Sequence, residues 1–123
     1  MKLRLKLGSV MMLGLLLMPV ADADVPAKAQ REVDFLLGYV ETAGCEFYRN
    51  GTWHDGKAAQ EHLSDKYHYL AARNLINTAE DFIDMAATKS SFSGLPYQVK
   101  CNGGAPMASN PWLREALARF RKL

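Results

Sequence analysis

The chain has 123 residues, which is enough for one domain and excludes a multidomain enzyme. Hydrophobic residues make up 49% of the chain and charged residues 23%, which is typical of a folded globular protein. Three of the 15 basic residues and one of the 13 acidic residues lie within residues 1–23, so 12 of each sign remain in residues 24–123. This balanced charge excludes the basic footprint of a nucleic-acid-binding protein.

The N-terminus has the pattern of a secretory signal peptide. Three basic residues in the first six positions precede an apolar run that ends at Val20, and Ala-Asp-Ala follows at residues 21–23. The run is too short to cross a hydrocarbon core of ~30 Å comfortably. We therefore expect residues 1–23 to be removed after Ala23, and the mature domain of residues 24–123 to be periplasmic or secreted, without stable insertion into a membrane.

Four amphipathic patterns predict helices. The first is expected from Pro26 to Ala43, with Asp24 as its N-cap. The second is expected to begin near Asp55-Gly56 and to end near Leu75.

The third and fourth helices have recognisable start signals. Thr78 and Asp81 form a capping box, in which each side chain satisfies a free backbone N–H of the first turn. Asn110 followed by Pro111 predicts the start of the last helix, because proline is favoured at the first helical position. Arg121 and its basic neighbours at the end of this helix are interpreted as residues that complement the helix dipole.

Two short runs with β-favouring residues, Cys45–Arg49 and Tyr97–Cys101, predict strands. If the strands are antiparallel and Cys45 faces Cys101, Phe47 faces Val99 on the same side of the sheet. The two cysteines of an exported domain are expected to form a disulfide. The bond closes a loop of 57 residues, counting both cysteines, for which chain entropy gives roughly 4 kcal/mol of stabilisation.

The predicted fold class is therefore α+β, with about four helices packed against one short two-stranded antiparallel ribbon. The turn Asn50-Gly51 closes the first strand.

A polar cluster is the main candidate for chemistry. If the turn after Asn50 folds back on the second helix, His54 and His62 approach each other and Lys66 lies one turn beyond His62. Such a cluster, close to Arg49 and Tyr97, could bind an anion or act as acid and base. The six predicted binding residues are Arg49, Asn50, His54, His62, Lys66 and Tyr97. The alternative is a set of hydrogen bonds that only fixes the loop of residues 50–56.

Two other groups of residues have the chemistry of a functional site but are explained by structural roles. Glu61, Asp65 and His68 share one helical face and could hold a divalent ion, but a solvated polar face explains them as well. The serines at positions 90, 91 and 93 are interpreted as turn and capping residues, because no G-x-S-x-G motif is present. No metal and no cofactor are expected.

Three stretches of the sequence resemble a known family. The first is R-N-G-x-x-H-x-x-x-x-A-x-x-H-L-x-x-K, at residues 49–66; T-A-E-D-F-I-D follows at residues 78–84, and S-S-F-S-G-L-P-Y-Q-V-K at residues 90–100. Together they resemble the YfeK-like family of small exported bacterial proteins, a domain of unknown function. The resemblance implies a periplasmic location in a Gram-negative cell and carries no activity, substrate or catalytic residue.

We expect a small binding or interaction module of the cell envelope, whose partner is an envelope protein or a small ligand. The alternative is a small periplasmic hydrolase that uses His54 or His62 as its base. An exposed groove or apolar patch is expected near Trp53, Phe92 and Tyr97.

Overall fold

A computed structural model describes residues 25–123, so the predicted signal peptide and the predicted N-cap Asp24 lie outside the described residues. The elements in chain order are α1 Ala27–Thr42, β1 Cys45–Arg49, β2 Thr52–His54, α2 Gly56–Ala71, α3 Ala79–Ala86, β3 Gln98–Cys101, β4 Met107–Ala108 and α4 Ser109–Arg121. This order confirms the α+β fold class. Within residues 25–123 no helix is long and apolar enough to cross a membrane.

The sheet is antiparallel and has the strand order β2-β1-β3-β4. Its central pair, β1 and β3, has the predicted register, with Cys45 opposite Cys101 and Phe47 opposite Val99. The predicted disulfide joins the two cysteines. The predicted ribbon is thus the centre of a larger sheet. The outer strands, of three and two residues, are too short to give a recognisable alternation in the sequence.

The hairpin between β1 and β2 turns at Asn50-Gly51, where both residues have positive φ, 51° and 88°. Positive φ at both central positions defines the type I′ turn, whose twist matches that of the two strands. The turn predicted from the Asn-Gly pair is therefore present.

The starts of α2 and α3 are set by side-chain caps. Asp55 accepts a hydrogen bond from the Ala58 N–H at 2.9 Å. The capping box of Thr78 and Asp81 is complete. The predicted end of α2 at Leu75 is wrong, since the helix closes after Ala71, and Asn74, with φ of 61°, turns the chain away.

The predicted start of α4 at Asn110 is also wrong. The helix begins at Ser109 with Ala108 in the N-cap position, and no side chain caps it. The Asn110 amide instead donates to Asp84 at 2.9 Å and to Thr88 at 2.8 Å. The side chain therefore forms tertiary hydrogen bonds in place of the cap that the local pattern predicted.

The core lies between the helices and the inner face of the sheet. Helix α1 packs against α2, α3 and α4. The largest fully buried side chains come from the helices and from β3: Phe82, Leu36, Ile83, Leu113, Val33, Val40 and Val99.

One ion-pair network joins three helices. Glu32 of α1 is buried, and both of its carboxylate oxygens accept from Arg121 at 2.8 Å. Arg121 also pairs with Glu80 at 2.8 Å. The guanidinium lowers the pKa of both carboxyl groups, that of Glu80 to about 2. Arg121 therefore forms tertiary ion pairs in addition to complementing the dipole of α4.

Candidate functional site

The hydroxyl group of Tyr97 is the point at which the predicted polar cluster converges. Tyr97 lies directly before β3 and is buried. Its Oη lies 3.0 Å from His62 Nε2 and 3.1 Å from Lys66 Nζ. His62 and Lys66 are four residues apart on α2, and this spacing places both side chains on one helical face.

The donors and acceptors of this cluster can be assigned from their chemistry. The Lys66 ammonium has three N–H groups and no acceptor, so it donates to Tyr97 Oη and, at 3.2 Å, to the carbonyl of Lys89. In the tautomer that carries the imidazole proton on Nδ1, the Tyr97 hydroxyl donates to His62 Nε2. Among residues 25–123, the third ammonium proton and the Nδ1–H group have no protein partner.

Burial and neighbouring charges shift the pKa of each of the three groups. Burial lowers the pKa of the His62 imidazole, and the charges of Arg49 and Lys66 lower it further. Burial also lowers the pKa of the Lys66 ammonium, again assisted by Arg49. Burial raises the pKa of the Tyr97 hydroxyl against the opposing effect of Arg49. These shifts favour a neutral imidazole and an un-ionised phenol at neutral pH.

A small inner cavity of about 30 Å³ lies on one side of this cluster. Four of the six predicted binding residues line it: Arg49, His54, His62 and Tyr97. His54 pairs with Phe47 across the β1–β2 hairpin. The rest of the wall is mostly apolar and comes from α1, β1, α2 and α4. A cavity of this volume holds a water molecule or two, not an organic ligand.

A larger outer groove of about 370 Å³ lies on the other side. Its lining residues come from α2, α3 and the loop after α3: His62, Asp65, Lys66, Tyr69, Leu70, Met85 and Ser91. The volume is within the range of about 300–1,000 Å³ for small-molecule sites. His62 lines both spaces, so its ring lies between the cavity and the groove.

Asn50 has a structural role. It is exposed at the hairpin turn, and its Oδ1 accepts a hydrogen bond from the Ser93 hydroxyl. The buried Ser90 accepts from the backbone N–H groups of Phe92 and Ser93, as the turn interpretation of the serines predicted. The hairpin tip and the serine loop are thus joined, and Asn50 lines neither space.

The metal hypothesis for Glu61, Asp65 and His68 gains no support. Residues 25–123 contain no group of three or more His, Cys, Asp or Glu side chains that could hold a metal ion. Glu61 pairs with Lys57 at 3.1 Å, and His68 Nδ1 lies 2.8 Å from the Ser64 carbonyl oxygen.

Sequence reasoning missed the apolar half of the groove. Met85 of α3 is 41% exposed and lines the groove. Tyr69 and Leu70 follow His62 by seven and eight residues, a helical spacing that could have placed them on its face. Of the aromatic residues expected at the groove, Phe92 is exposed beside Ser91. Trp53 contacts Tyr48 with its ring tilted by 60° and does not line the groove.

Fold and site define a small disulfide-linked α+β domain with a polar cluster between a cavity and an open groove. The chain belongs to the family of unknown function DUF5329, whose model matches residues 27–121. It is similar to the uncharacterized protein YfeK of Salmonella typhimurium, with 38% identity over 84 residues, which cover 68% of each chain. The resemblance to a YfeK-like domain of unknown function is thereby confirmed. No solved structure matches the chain significantly.

Proposed function

We propose that the protein is a binding module of the cell envelope that takes the anionic group of a small ligand in the outer groove, at Lys66 and His62. The observation that supports this most is that the Lys66 ammonium group forms hydrogen bonds but no ion pair within the described residues. Its ammonium group is held by Tyr97 and by the Lys89 carbonyl, and it has no carboxylate partner in the described part of the chain. An anion can therefore bind without first breaking an ion pair.

The surroundings of Lys66 favour a negative ligand. The positive charge of Arg49 lowers the pKa of both His62 and Lys66, and the same charge favours an anion bound beside these two groups. Because the site is half-buried, the attraction is screened less than at an exposed lysine. The unused N–H groups of Lys66 and His62 are two hydrogen-bond donors for the ligand.

The location in the envelope is a separate part of the proposal. It rests on the signal-peptide pattern of residues 1–23 and on the cysteine pair, which forms a disulfide only under oxidising conditions. Cell fractionation followed by N-terminal sequencing should find the protein in the periplasm with Asp24 as its first residue. Full-length protein with two free thiols in the cytosol would contradict this part.

The anion site is tested by titrating the protein with acetate and with phosphate while following the NMR signals of α2. The Lys66→Met variant should weaken binding at least tenfold, because it removes the charge and keeps the apolar stem. Lys57→Met is the matched control, since Lys57 lies exposed on the same helix and pairs with Glu61. Equal losses in both variants, or no binding by the wild type, would overturn the proposal.

The hydrolase alternative has weaker support. His62 Nε2 already lies within hydrogen-bond distance of the Tyr97 hydroxyl, which leaves only Nδ1 of this ring available to take a proton from water. If the protein were a hydrolase with His62 as its base, the His62→Gln variant would lose ester hydrolysis. We expect no turnover of p-nitrophenyl esters that depends on His62.

A further inference from the structure

The outer groove follows one face of α2. Its residues on this helix are His62, Asp65, Lys66, Tyr69 and Leu70, and this spacing of three or four residues keeps all of them on one side. The nine residues from His62 to Leu70 extend over ~12 Å of helix axis. The groove is thus long enough for a ligand with two chemically different ends.

One end of the groove is apolar and open to solvent. Tyr69 and Met85 are exposed, at 58% and 41%, and Leu70 lies between them and the core. The guanidinium of Arg73 lies 3.6 Å from the centre of the Tyr69 ring. A flexible methionine beside an aromatic ring can adapt to apolar groups of different shapes.

The other end of the groove has one charge of each sign. Asp65 lines it next to Lys66, and neither side chain forms a salt bridge within residues 25–123. The remaining lining groups at this end, the neutral His62 imidazole and the Ser91 hydroxyl, are uncharged. A ligand that complements this end has an anionic and a cationic group close together.

We propose that the groove binds a free α-amino acid with an apolar side chain. Its α-carboxylate accepts from Lys66 and His62, its α-ammonium group pairs with Asp65, and its side chain packs against Tyr69, Leu70 and Met85. This inference rests on the proposed anion site and adds the class of ligand.

The amino group distinguishes this ligand from related carboxylates. A fatty acid fits the lysine and the apolar end, but it has no cationic group to pair with the exposed Asp65 carboxylate. The C-terminus of a peptide offers Asp65 only a neutral N–H, which forms a weaker hydrogen bond than an ammonium group does. Charge complementarity therefore favours the free amino acid over both.

Calorimetric titration with matched compounds tests the proposal. L-leucine is compared with 4-methylpentanoate, which lacks the amino group, and with N-acetyl-leucine, which models a peptide C-terminus. We expect leucine to bind at least tenfold more tightly than either compound. In Asp65→Asn this preference should disappear, whereas Lys66→Met should weaken the binding of all three.

Two further variants address the specificity of the site. Met85→Gln, at an exposed position, should reduce the preference for leucine over glycine. Glu61→Gln, on the same helix but paired with Lys57 outside the groove, should leave every affinity unchanged. An equal effect of Glu61→Gln and Asp65→Asn would overturn the assignment of Asp65.

The outcomes separate this inference from the anion site. If 4-methylpentanoate and N-acetyl-leucine bind as tightly as leucine, and Lys66→Met weakens them, the amino-acid assignment is overturned and the anion site stands. If none of the three carboxylates binds, the amino-acid assignment is overturned, and the acetate and phosphate titrations decide the anion site on their own.

Discussion

His62 lies at the centre of the site because it connects a buried hydroxyl group, a small cavity and an open groove. Its ring is held by Tyr97, and Lys66 lies one helical turn away on the same side of α2. In this position a proton on the ring is opposed by burial and by two neighbouring cations, Arg49 and Lys66. The residue is therefore suited to hold a ligand as a neutral donor, and its protonation should disturb the fold.

The pH dependence of stability tests this description. The pKa of His62 is lowered in the folded state, so as the pH falls through the ordinary value near 6.5 the unfolded chain takes up the proton first. The free energy of unfolding should decrease by up to about 1 kcal/mol between pH 7.5 and 5.5. Urea unfolding of His62→Gln should show a smaller decrease over this range.

Two features of the chain keep this measurement specific. The carboxyl groups with lowered pKa, such as Glu32 and Glu80, lose their stabilising effect only at more acidic pH, below about 4.5. His68 is exposed on the same helix, so His68→Gln is a control that should behave like the wild type. An unchanged pH dependence in His62→Gln would contradict the assigned burial of the imidazole.

At the level of elements, the position of α2 depends on a close approach of its first residue to the end of α1. A Cβ atom on Gly56 would lie 2.6 Å from the Val40 carbonyl oxygen and 2.7 Å from that of Glu41. Backbone atoms cannot yield to such a contact without moving one helix against the other. Since α2 carries His62 and Lys66, this contact also sets where the groove residues lie.

Gly56→Ala should therefore destabilise the protein by roughly 2 kcal/mol, through overpacking. Gly38→Ala is the opposite control, because Gly38 is exposed within α1 and an added Cβ meets nothing within 4 Å. Alanine at that position should stabilise the protein by about 0.5–1 kcal/mol. Thermal melts should shift in opposite directions, and a neutral Gly56→Ala would show that the helices can separate freely.

The elements differ in how well the sequence predicts them. The capping box at Thr78 and the Asn50-Gly51 turn are local signals whose partners lie within a few residues, and both are present. The predicted Asn110 cap is absent because its amide donates to Asp84 on α3 and to Thr88 just after that helix, and no local pattern reveals these partners. Strands β2 and β4 are defined by pairing with a neighbouring strand, which their own short sequences do not predict.

At the scale of the whole molecule, the sequence predicted the contacts of the polar cluster but not the apolar half of the groove. The helical spacing of His62 and Lys66 predicts that both lie on one face of α2. The register of β1 and β3 places Tyr97, directly before β3, next to them. The exposure of Met85 depends on how α3 packs against its neighbours, and the amphipathic pattern of an eight-residue helix leaves its edge positions ambiguous.

The disulfide acts on the molecule as a whole. Cys45 and Cys101 are separated by 56 residues, and they join the two central strands of a sheet whose strands have only two to five residues. Such short strands are marginal without added support. The bond lies at the opposite end of β1 from Arg49, a distance of ~13 Å along the strand.

The double variant Cys45→Ala/Cys101→Ala should therefore lose about 4 kcal/mol of unfolding free energy, because the unfolded chain regains the entropy of the open loop. Under conditions where it remains folded, its affinity for ligands of the groove should match that of the wild type, since the bond holds the far end of the sheet. Urea unfolding of the wild type with reductant should give the same midpoint as the double variant. A stable variant with altered affinity would show instead that the bond shapes the site.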